Sequence, residues 1–234
     1  MTQPNRGMRR AGAAAMLLAL APMIGAPGVG RAAEMAPWPD TYAARLQALA
    51  LVQSLNAEIL GSRSATFSLE KWCGDHGLAE PAKIVAKLDA GVDKPPSAEQ
   101  RRRLGVSETE TVKYRHVRLF CGERVLSEAD NWYVPGRLTE VMNRLLETTD
   151  TPFGKAVQAL EPRRQTFAAT TLWSPLPAGW EKGPIPPGDA TRPLAIPEFL
   201  FEHRALLYTR DNLPFSEVDE VYKRSLLDFA VVRP

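Results

Sequence analysis

Two charged residues occupy positions where alternating sequence turns toward an apolar interior. Residues 112–121 alternate with period two, and the face that carries Arg115 becomes steadily more apolar along the strand. Residues 215–222 alternate in the same way, and the face that carries Tyr222 also carries Glu220. An inward charge is expensive unless it has a partner. We therefore expect each of these charges to meet another charge or a ligand.

A guanidinium and a carboxylate in one apolar pocket suit a small organic acid. Arg115 would hold the carboxylate of the acid in a forked, charge-assisted contact worth about 1.5–3 kcal/mol. Glu220 would meet a hydroxyl or a proton at the opposite end of the ligand. Two other interpretations stay open here: an ion pair between the two residues, or two surface residues that the alternation assigns to the wrong face.

The sequence lacks the motifs of the common catalytic and metal sites. It contains no GxSxG, HExxH, CxxC or Walker loop. His76, His116 and His203 are too scattered to predict a metal site, so neither a metal nor a cofactor is expected. The formal net charge of +2, without a basic stripe that contains aromatic residues, argues against nucleic acid as a partner.

The N-terminal residues have the composition of an export signal. Three arginines precede an apolar stretch at 11–26, and a cleavage zone of mostly small residues follows at 30–33. The stretch is short for a membrane span, and Pro22 interrupts it. We predict a signal peptide over 1–33 and a single domain over 34–234, without a membrane span after cleavage. The protein would be periplasmic or secreted, or cytoplasmic if the signal is unused, and a monomer.

Periodicity divides the rest of the chain into helices and two hairpins. Helical spacing is found at 40–61, 68–76, 139–147 and 152–161, and period-two segments at 112–121, 125–134, 165–173, 199–209 and 215–222. This order is typical of an α+β fold with a largely antiparallel sheet. Residues 91–109 are predicted as a surface connection or a short exposed helix, and the proline-rich stretch 174–197 as a long loop or flap.

The predicted helix at 152–161 has an unusual first turn. Thr151 suits the N-cap and Pro152 the first helical position, but Gly154 costs about 1 kcal/mol relative to alanine inside a helix. Either main chain must come close to a ligand here, or Phe153 anchors the core and the glycine relieves crowding.

The two cysteines, Cys73 and Cys121, leave the redox state open. In an oxidising compartment they could pair and close a loop worth about 4 kcal/mol in the chain-entropy model. Two buried thiols are equally compatible with the sequence.

Four stretches resemble the chorismate lyase family and the related ligand-binding domains, of the UTRA type, that share its fold. They are GSRSATFSLEKW at 61–72, YRHVRLFCGERVLSEADNWYVP at 114–135, DTPFG at 150–154 and LLYTRDNLPFSEVDEVY at 206–222. The resemblance implies about six antiparallel strands with flanking helices that enclose an internal ligand pocket. It also implies a cofactor-independent lyase that removes pyruvate from chorismate and leaves 4-hydroxybenzoate.

The resemblance also assigns roles to residues. The carboxylate-binding arginine of the family falls on Arg115, with Arg118 as the alternative, and its pocket glutamate on Glu220, with Asp219 as the alternative. These residues would carry catalysis. Further pocket positions fall on Phe153, Gly154 and Ala65. The export signal departs from the family, because chorismate is made and used inside the cell, so a non-catalytic periplasmic module that binds a small aromatic or carboxylic acid is the alternative function.

Overall fold

The structure is a computed structural model that describes residue 1 and residues 38–89, 91 and 93–229. Most of the predicted signal peptide, residues 2–33, lies outside the described residues. Among the described residues, no helix combines the length and apolar composition that crossing a membrane requires.

The predicted helices and strands occur along the chain in the predicted order, together with several short elements that were not predicted. The helices are α1 (Tyr42–Gly61), α2 (Ala65–Asp75), α3 (Ala98–Leu104), α4 (Glu140–Thr148) and α5 (Phe153–Ala156). The strands are β1 (Pro39–Asp40), β2 (Ile84–Leu88), β3 (Lys113–Cys121), β4 (Arg124–Tyr133), β5 (Arg163–Thr171), β6 (Asp189–Pro193), β7 (Phe199–Tyr208) and β8 (Pro214–Lys223). Three 3-10 turns complete the set: Pro135–Arg137, Gln158–Leu160 and Arg224–Leu227.

Six strands form one antiparallel sheet in the order β2-β3-β4-β8-β7-β5, and β1 pairs separately with β6. The predicted fold class, α+β with a six-stranded antiparallel sheet and flanking helices, is therefore confirmed. Both predicted hairpins form, as β3–β4 and β7–β8. The sequence analysis missed β2, a five-residue edge strand, and also β6, a short strand inside the proline-rich stretch, with its two-residue partner β1.

The two faces of the sheet have different surroundings. One face, here named the cavity face, carries Arg115, Val117 and Leu119 of β3, and α1 and α2 pack against it in the main core. The other, here named the outer face, is covered at one end by α3, whose Leu104 packs against Trp132 of β4. The predicted inward alternation of β3 is therefore confirmed.

A disulfide ties α2 to the sheet. Cys73 of α2 and Cys121 of β3 are bonded, with their Cα atoms 6.2 Å apart. Both side chains are fully buried. Of the two alternatives for the cysteines, the structure therefore has the disulfide, and it joins the helix and the strand that also contribute to the site described below.

Two helix boundaries differ from the prediction. Helix α2 begins at Ala65, three residues early, because Ser64 is extended and serves as its N-cap. The predicted helix at 152–161 is shorter, since α5 ends at Ala156 and a 3-10 turn follows. Thr151 was wrong as its N-cap: Pro152 is the cap, and its carbonyl accepts from the backbone N–H of Lys155 and Ala156.

Candidate functional site

A small cavity lies where the cavity face meets the first turns of α2 and α5. It offers about 40 Å³ to the centre of a water molecule, which is room for roughly three waters. Its polar lining is compact and rich in arginine, and its apolar lining comes mainly from the central strands. The lining residues are Arg63, Ser64, Ala65, Thr66, Arg115, Val117, Leu119, Ala129, Asn131, Phe153, Gly154, Arg164, Leu207, Val218 and Glu220.

Arg115 enters this cavity as a charge that the chain leaves largely unpaired. The residue is 4% exposed. Its Nη2 donates to the carbonyl of Thr151 at 3.1 Å, whereas Nε and Nη1 have no hydrogen-bond partner within the described part of the chain. Burial lowers the pKa of Arg115 to about 10, so the guanidinium stays charged at neutral pH.

Glu220 lines the same cavity but pairs with a different arginine. It is 7% exposed, and its Oε2 accepts from Nη2 of Arg164 at 2.7 Å and from the hydroxyl of Tyr222 at 2.9 Å. Arg115 and Glu220 therefore do not form the ion pair that was one of the alternatives. The alternative of two surface residues is also wrong, because both side chains are buried.

The remaining predicted pocket residues separate into two groups. Ala65, Phe153 and Gly154 line the cavity. Arg118 is exposed on the outer face, where its guanidinium lies 5.9 Å from the centre of the Phe120 ring.

Asp219, the alternative to Glu220, also lies on the outer face and pairs with Arg204 at 3.4 Å. Of the two predicted acids, Glu220 is therefore the one that lines the cavity. Within residues 38–89 and 93–229, no three His, Cys, Asp or Glu side chains gather as the ligands of a metal would.

Gly154 is required by close packing between α5 and α2. A Cβ atom at this position would lie 2.2 Å from Oγ of Ser64 and 3.1 Å from Oγ1 of Thr66. The Ser64 hydroxyl is itself buried and lacks a hydrogen-bond partner among the described residues. The glycine therefore lets two helix starts meet at the wall of the cavity, which agrees with the interpretation of relieved crowding.

A surface cleft adjoins the cavity at this wall. It offers about 370 Å³ and is lined by Arg63, Ser64, Phe67, Gly154, Gln158, Glu161 and Pro162. Arg63, Ser64 and Gly154 line both spaces. Ser64 and Gly154 thus lie at the boundary between the cavity and the surface cleft.

One relative is similar in sequence to this chain over most of its length. The uncharacterized protein y4mC of Sinorhizobium fredii (strain NBRC 101917 / NGR234) is 51% identical over 193 residues, which are 82% of this chain and 81% of that protein. This chain belongs to the same family as y4mC. No family model matches the chain.

Solved structures resemble this member of the y4mC family only distantly. The effector domain of PhnF from Mycobacterium smegmatis has a TM-score of 0.42 and 16% identity, over 68% of this chain and 94% of that one. The SA0254 gene product of Staphylococcus aureus subsp. aureus N315 has a TM-score of 0.41 and 14% identity, over 65% and 90%. A GntR-family transcriptional regulator from Enterococcus faecalis V583 has a TM-score of 0.37 and 14% identity, over 63% and 99%.

Among the buried charged side chains of the cavity, sequence reasoning missed Arg164. The period-two segment was predicted from Gln165, so Arg164 fell just outside it, whereas β5 begins at Arg163. The sequence nevertheless contained an indication that a second buried cation was needed. A buried Glu220 needs a counter-charge, and the same argument that was applied to Arg115 would have required a second arginine or lysine nearby.

Proposed function

We propose that the protein binds a small organic acid in the cavity and holds its carboxylate on Arg115. The observation that carries this proposal is the pair of unpartnered donors, Nε and Nη1, on a charged and buried guanidinium. A buried donor without a partner costs about 1–3 kcal/mol. A carboxylate would remove that cost at one of these donors, and the second N–H of Nη2 would complete a bidentate, charge-assisted contact.

The charges around the cavity favour a singly charged acid. Arg164 and Glu220 neutralise each other through their ion pair. Arg115 is left as a buried positive charge without a salt bridge in the described part of the chain, and the nearest acid that acts on it, Asp150, is exposed. Arg63, at the boundary with the surface cleft, is exposed and therefore shielded by water. One buried carboxylate balances this arrangement.

The size of the cavity requires side chains to move when such a ligand binds. Room for roughly three waters is less than an aromatic acid occupies. The Ser64–Gly154 contact lies between the cavity and a cleft of about 370 Å³, so a shift there would enlarge the site toward solvent. Binding is therefore expected to be slow relative to diffusion.

Titration calorimetry with 4-hydroxybenzoate tests the proposal. The wild-type protein should bind it, and Arg115→Ala should weaken binding at least tenfold, since charge-assisted hydrogen bonds of about 1.5–3 kcal/mol are lost. Arg118→Ala is the matched control, because the same strand carries it on the outer face. Unchanged affinity in Arg115→Ala would refute the assignment of the carboxylate site.

A second candidate is the lyase reaction that the resemblance implies. The presence of Arg115 and Glu220 in one cavity favours it. Arg115 would hold the ring carboxylate of chorismate while the ether bond to the enolpyruvyl group breaks and the ring loses a proton. Pyruvate and 4-hydroxybenzoate would be the products, and aromatisation would drive the reaction. The protein would contribute orientation and exclusion of water.

Incubation with chorismate distinguishes the two candidates. Appearance of 4-hydroxybenzoate by absorbance, together with an equal amount of pyruvate, supports the lyase. No turnover combined with thermal stabilisation by 4-hydroxybenzoate supports a binding module. If neither turnover nor thermal stabilisation is observed, both candidates are contradicted.

We also propose that the protein is exported and works as a monomer outside the cytoplasm. The disulfide between Cys73 and Cys121 supports this location, because disulfides persist in oxidising compartments. Sequencing the N-terminus of the mature protein tests it: a start near residue 34 is expected, and an intact Met1 in the cytosolic fraction would contradict it. Light scattering of the purified protein tests the monomer.

A further inference from the structure

Arg164 contacts the cavity through an ion pair that the sequence resemblance does not assign. Its side chain is only 3% exposed. Nη2 of Arg164 donates to Oε2 of Glu220 at 2.7 Å, and Tyr222 donates to the same oxygen at 2.9 Å. Both donors therefore converge on one of the two carboxylate oxygens.

The other oxygen of Glu220 remains available. Oε1 accepts no hydrogen bond from the described residues. Because Oε2 is already occupied by two donors, Oε1 is the atom with which Glu220 can contact a ligand in the cavity. The ion pair with Arg164 thus fixes which oxygen points to the partners and which is left for the ligand.

The surroundings of Glu220 keep it an acceptor. Burial alone would lower the pKa of Arg164, but the Glu220 charge and the Tyr222 hydroxyl raise it above the ordinary value, so the guanidinium stays charged. Burial and the Glu220 charge raise the pKa of Tyr222 well above its ordinary value, so the phenol keeps its proton. An ionised carboxylate has acceptors and no donor.

The remaining charged or titratable groups near Glu220 do not change this. His203 of β7 is paired in register with Glu220, and its Nε2 lies 2.7 Å from Oδ1 of Asn56. Burial and the charge of Arg164 lower the pKa of His203 to about 4, so it is neutral at neutral pH. Arg115 on β3 lines the same cavity, separated from Glu220 on β8 by strand β4, and does not pair with it.

We infer that Arg164 is a positioning residue that holds Glu220 as a hydrogen-bond acceptor, so that the cavity selects acids with an O–H or N–H donor opposite their carboxylate. This inference rests on the proposed function and narrows its ligand class. An ether or a bare ring edge in place of the donor would leave Oε1 buried without a partner, which is the basis of strong discrimination between such analogues.

Four probes of similar size test the inference by calorimetry on the wild-type protein: 4-hydroxybenzoate, 4-aminobenzoate, benzoate and 4-methoxybenzoate. The first two should bind at least about tenfold more tightly than the last two. Benzoate removes the donor without adding bulk, so its weak binding cannot be a steric effect.

Variants of Arg164 assign the effect to that residue. Arg164→Met should bring the four affinities within about threefold of one another, since the buried carboxylate loses its counter-charge and either binds a proton or moves. Arg164→Lys should restore most of the preference. Arg163→Met is the matched control on the same strand, where the residue is exposed. If Arg164→Met does not fold, Arg164→Lys and the wild-type comparison of benzoate with 4-hydroxybenzoate still decide.

The outcomes distinguish failure of the proposed function from failure of the inference about Arg164. Binding of none of the probes would contradict the proposed function itself. Equal affinities for benzoate and 4-hydroxybenzoate in the wild-type protein would leave acid binding in place and overturn the inference. A preference that survives in Arg164→Met, or that is lost equally in Arg163→Met, would also overturn it.

Discussion

The two faces of the sheet each hold a buried charged group, and the chain treats the two groups differently. On the outer face, Glu217 of β8 is 1% exposed and accepts two bonds from Arg103 of α3, from Nε at 2.8 Å and from Nη2 at 2.6 Å. On the cavity face, Arg115 is buried to a similar degree but makes one hydrogen bond, to the carbonyl of Thr151.

On the proposed function, this contrast is between a structural charge and one that remains available to a ligand. Arg103 and Glu217 satisfy each other in a forked contact that fixes α3 on the sheet. Arg115 carries two unpaired donors that a carboxylate could satisfy. Buried polar groups in folded proteins are rarely left without partners, so the unpaired group is the better candidate for function.

The largest expected effect tests the outer-face pair. Glu217→Ala removes the forked partner of the Arg103 guanidinium, which is about one-fifth exposed and keeps its pair with Glu99, so the free energy of unfolding should fall by about 3 kcal/mol, the lower end for a broken buried pair. Urea denaturation measures it. Asp219→Ala, on the same strand and face, breaks a more exposed pair and should cost less than about 1 kcal/mol. Similar losses in both variants would contradict the structural role of the Arg103–Glu217 pair.

The next effect concerns the cavity face and its dependence on pH. Burial and the Arg164 charge lower the pKa of His203 to about 4 in the folded protein, against about 6.5 when unfolded. As the pH falls below about 6.5, the unfolded chain binds a proton that the folded chain refuses, so stability decreases. Between pH 7 and about pH 5 the loss from this group should be about 2 kcal/mol.

His203→Gln isolates that contribution. The variant should show a shallower decrease of stability over the same pH range in urea denaturation. An identical slope in the variant would mean that burial next to Arg164 does not control the histidine.

Alternation along single strands was enough to predict that two charged residues face the interior. It placed Arg115 and Glu220 on inward faces of β3 and β8, and both are buried. The same regularity predicted the two hairpins and hence the antiparallel sheet. These features depend on neighbours within one strand, which a sequence displays directly.

Alternation could not supply the partners, because they lie on other elements. The register of β5 shifts between Thr166 and Ala168, and this bulge interrupts the period-two pattern. Phe167 is 40% exposed there although it is apolar, whereas Arg164 is buried. A pattern read from hydrophobicity would therefore assign the two faces of this strand in reverse.

The outer-face pair was hidden for a similar reason. The arginine run at 101–103 was predicted as a surface connection or a short exposed helix, and α3 is indeed a short helix with a capping box at Ser97. One of its arginines nevertheless reaches Glu217, 114 residues later in the sequence. Pairing at that separation depends on the packing of α3 on the sheet, which no local pattern contains.

A smaller effect should arise where the main chain of Gly154 approaches the side chain of Ser64 at the cavity wall. Gly154→Ala would place a Cβ atom 2.2 Å from Oγ of Ser64, so the hydroxyl must rotate or the helices separate. We expect a loss of about 1–2 kcal/mol in stability, or an equivalent weakening of 4-hydroxybenzoate binding. Thermal denaturation with and without the ligand measures both.

A double-mutant cycle identifies the contact. Ser64→Ala should recover most of the loss caused by Gly154→Ala, because it removes the atom that clashes. Gly136→Ala is the control, since a Cβ atom at that position would meet nothing within 4 Å. Additive effects at the two positions would show that the wall of the cavity is not formed by this contact.

The smallest expected effect is a stabilisation, and it tests directly whether Arg115 differs from the structural Arg103. Arg115→Met replaces an incompletely paired buried charge with an apolar side chain of similar length. It loses one hydrogen bond to Thr151 but removes two buried donors without partners, so the ligand-free protein should be unchanged or more stable by about 1 kcal/mol. Urea denaturation should show this, with Arg118→Met on the outer face within about 0.5 kcal/mol of wild type. The same variant should no longer be stabilised by 4-hydroxybenzoate. A destabilisation of Arg115→Met as large as that of Glu217→Ala would instead make Arg115 a structural residue like Arg103, and the two faces would then differ only in geometry.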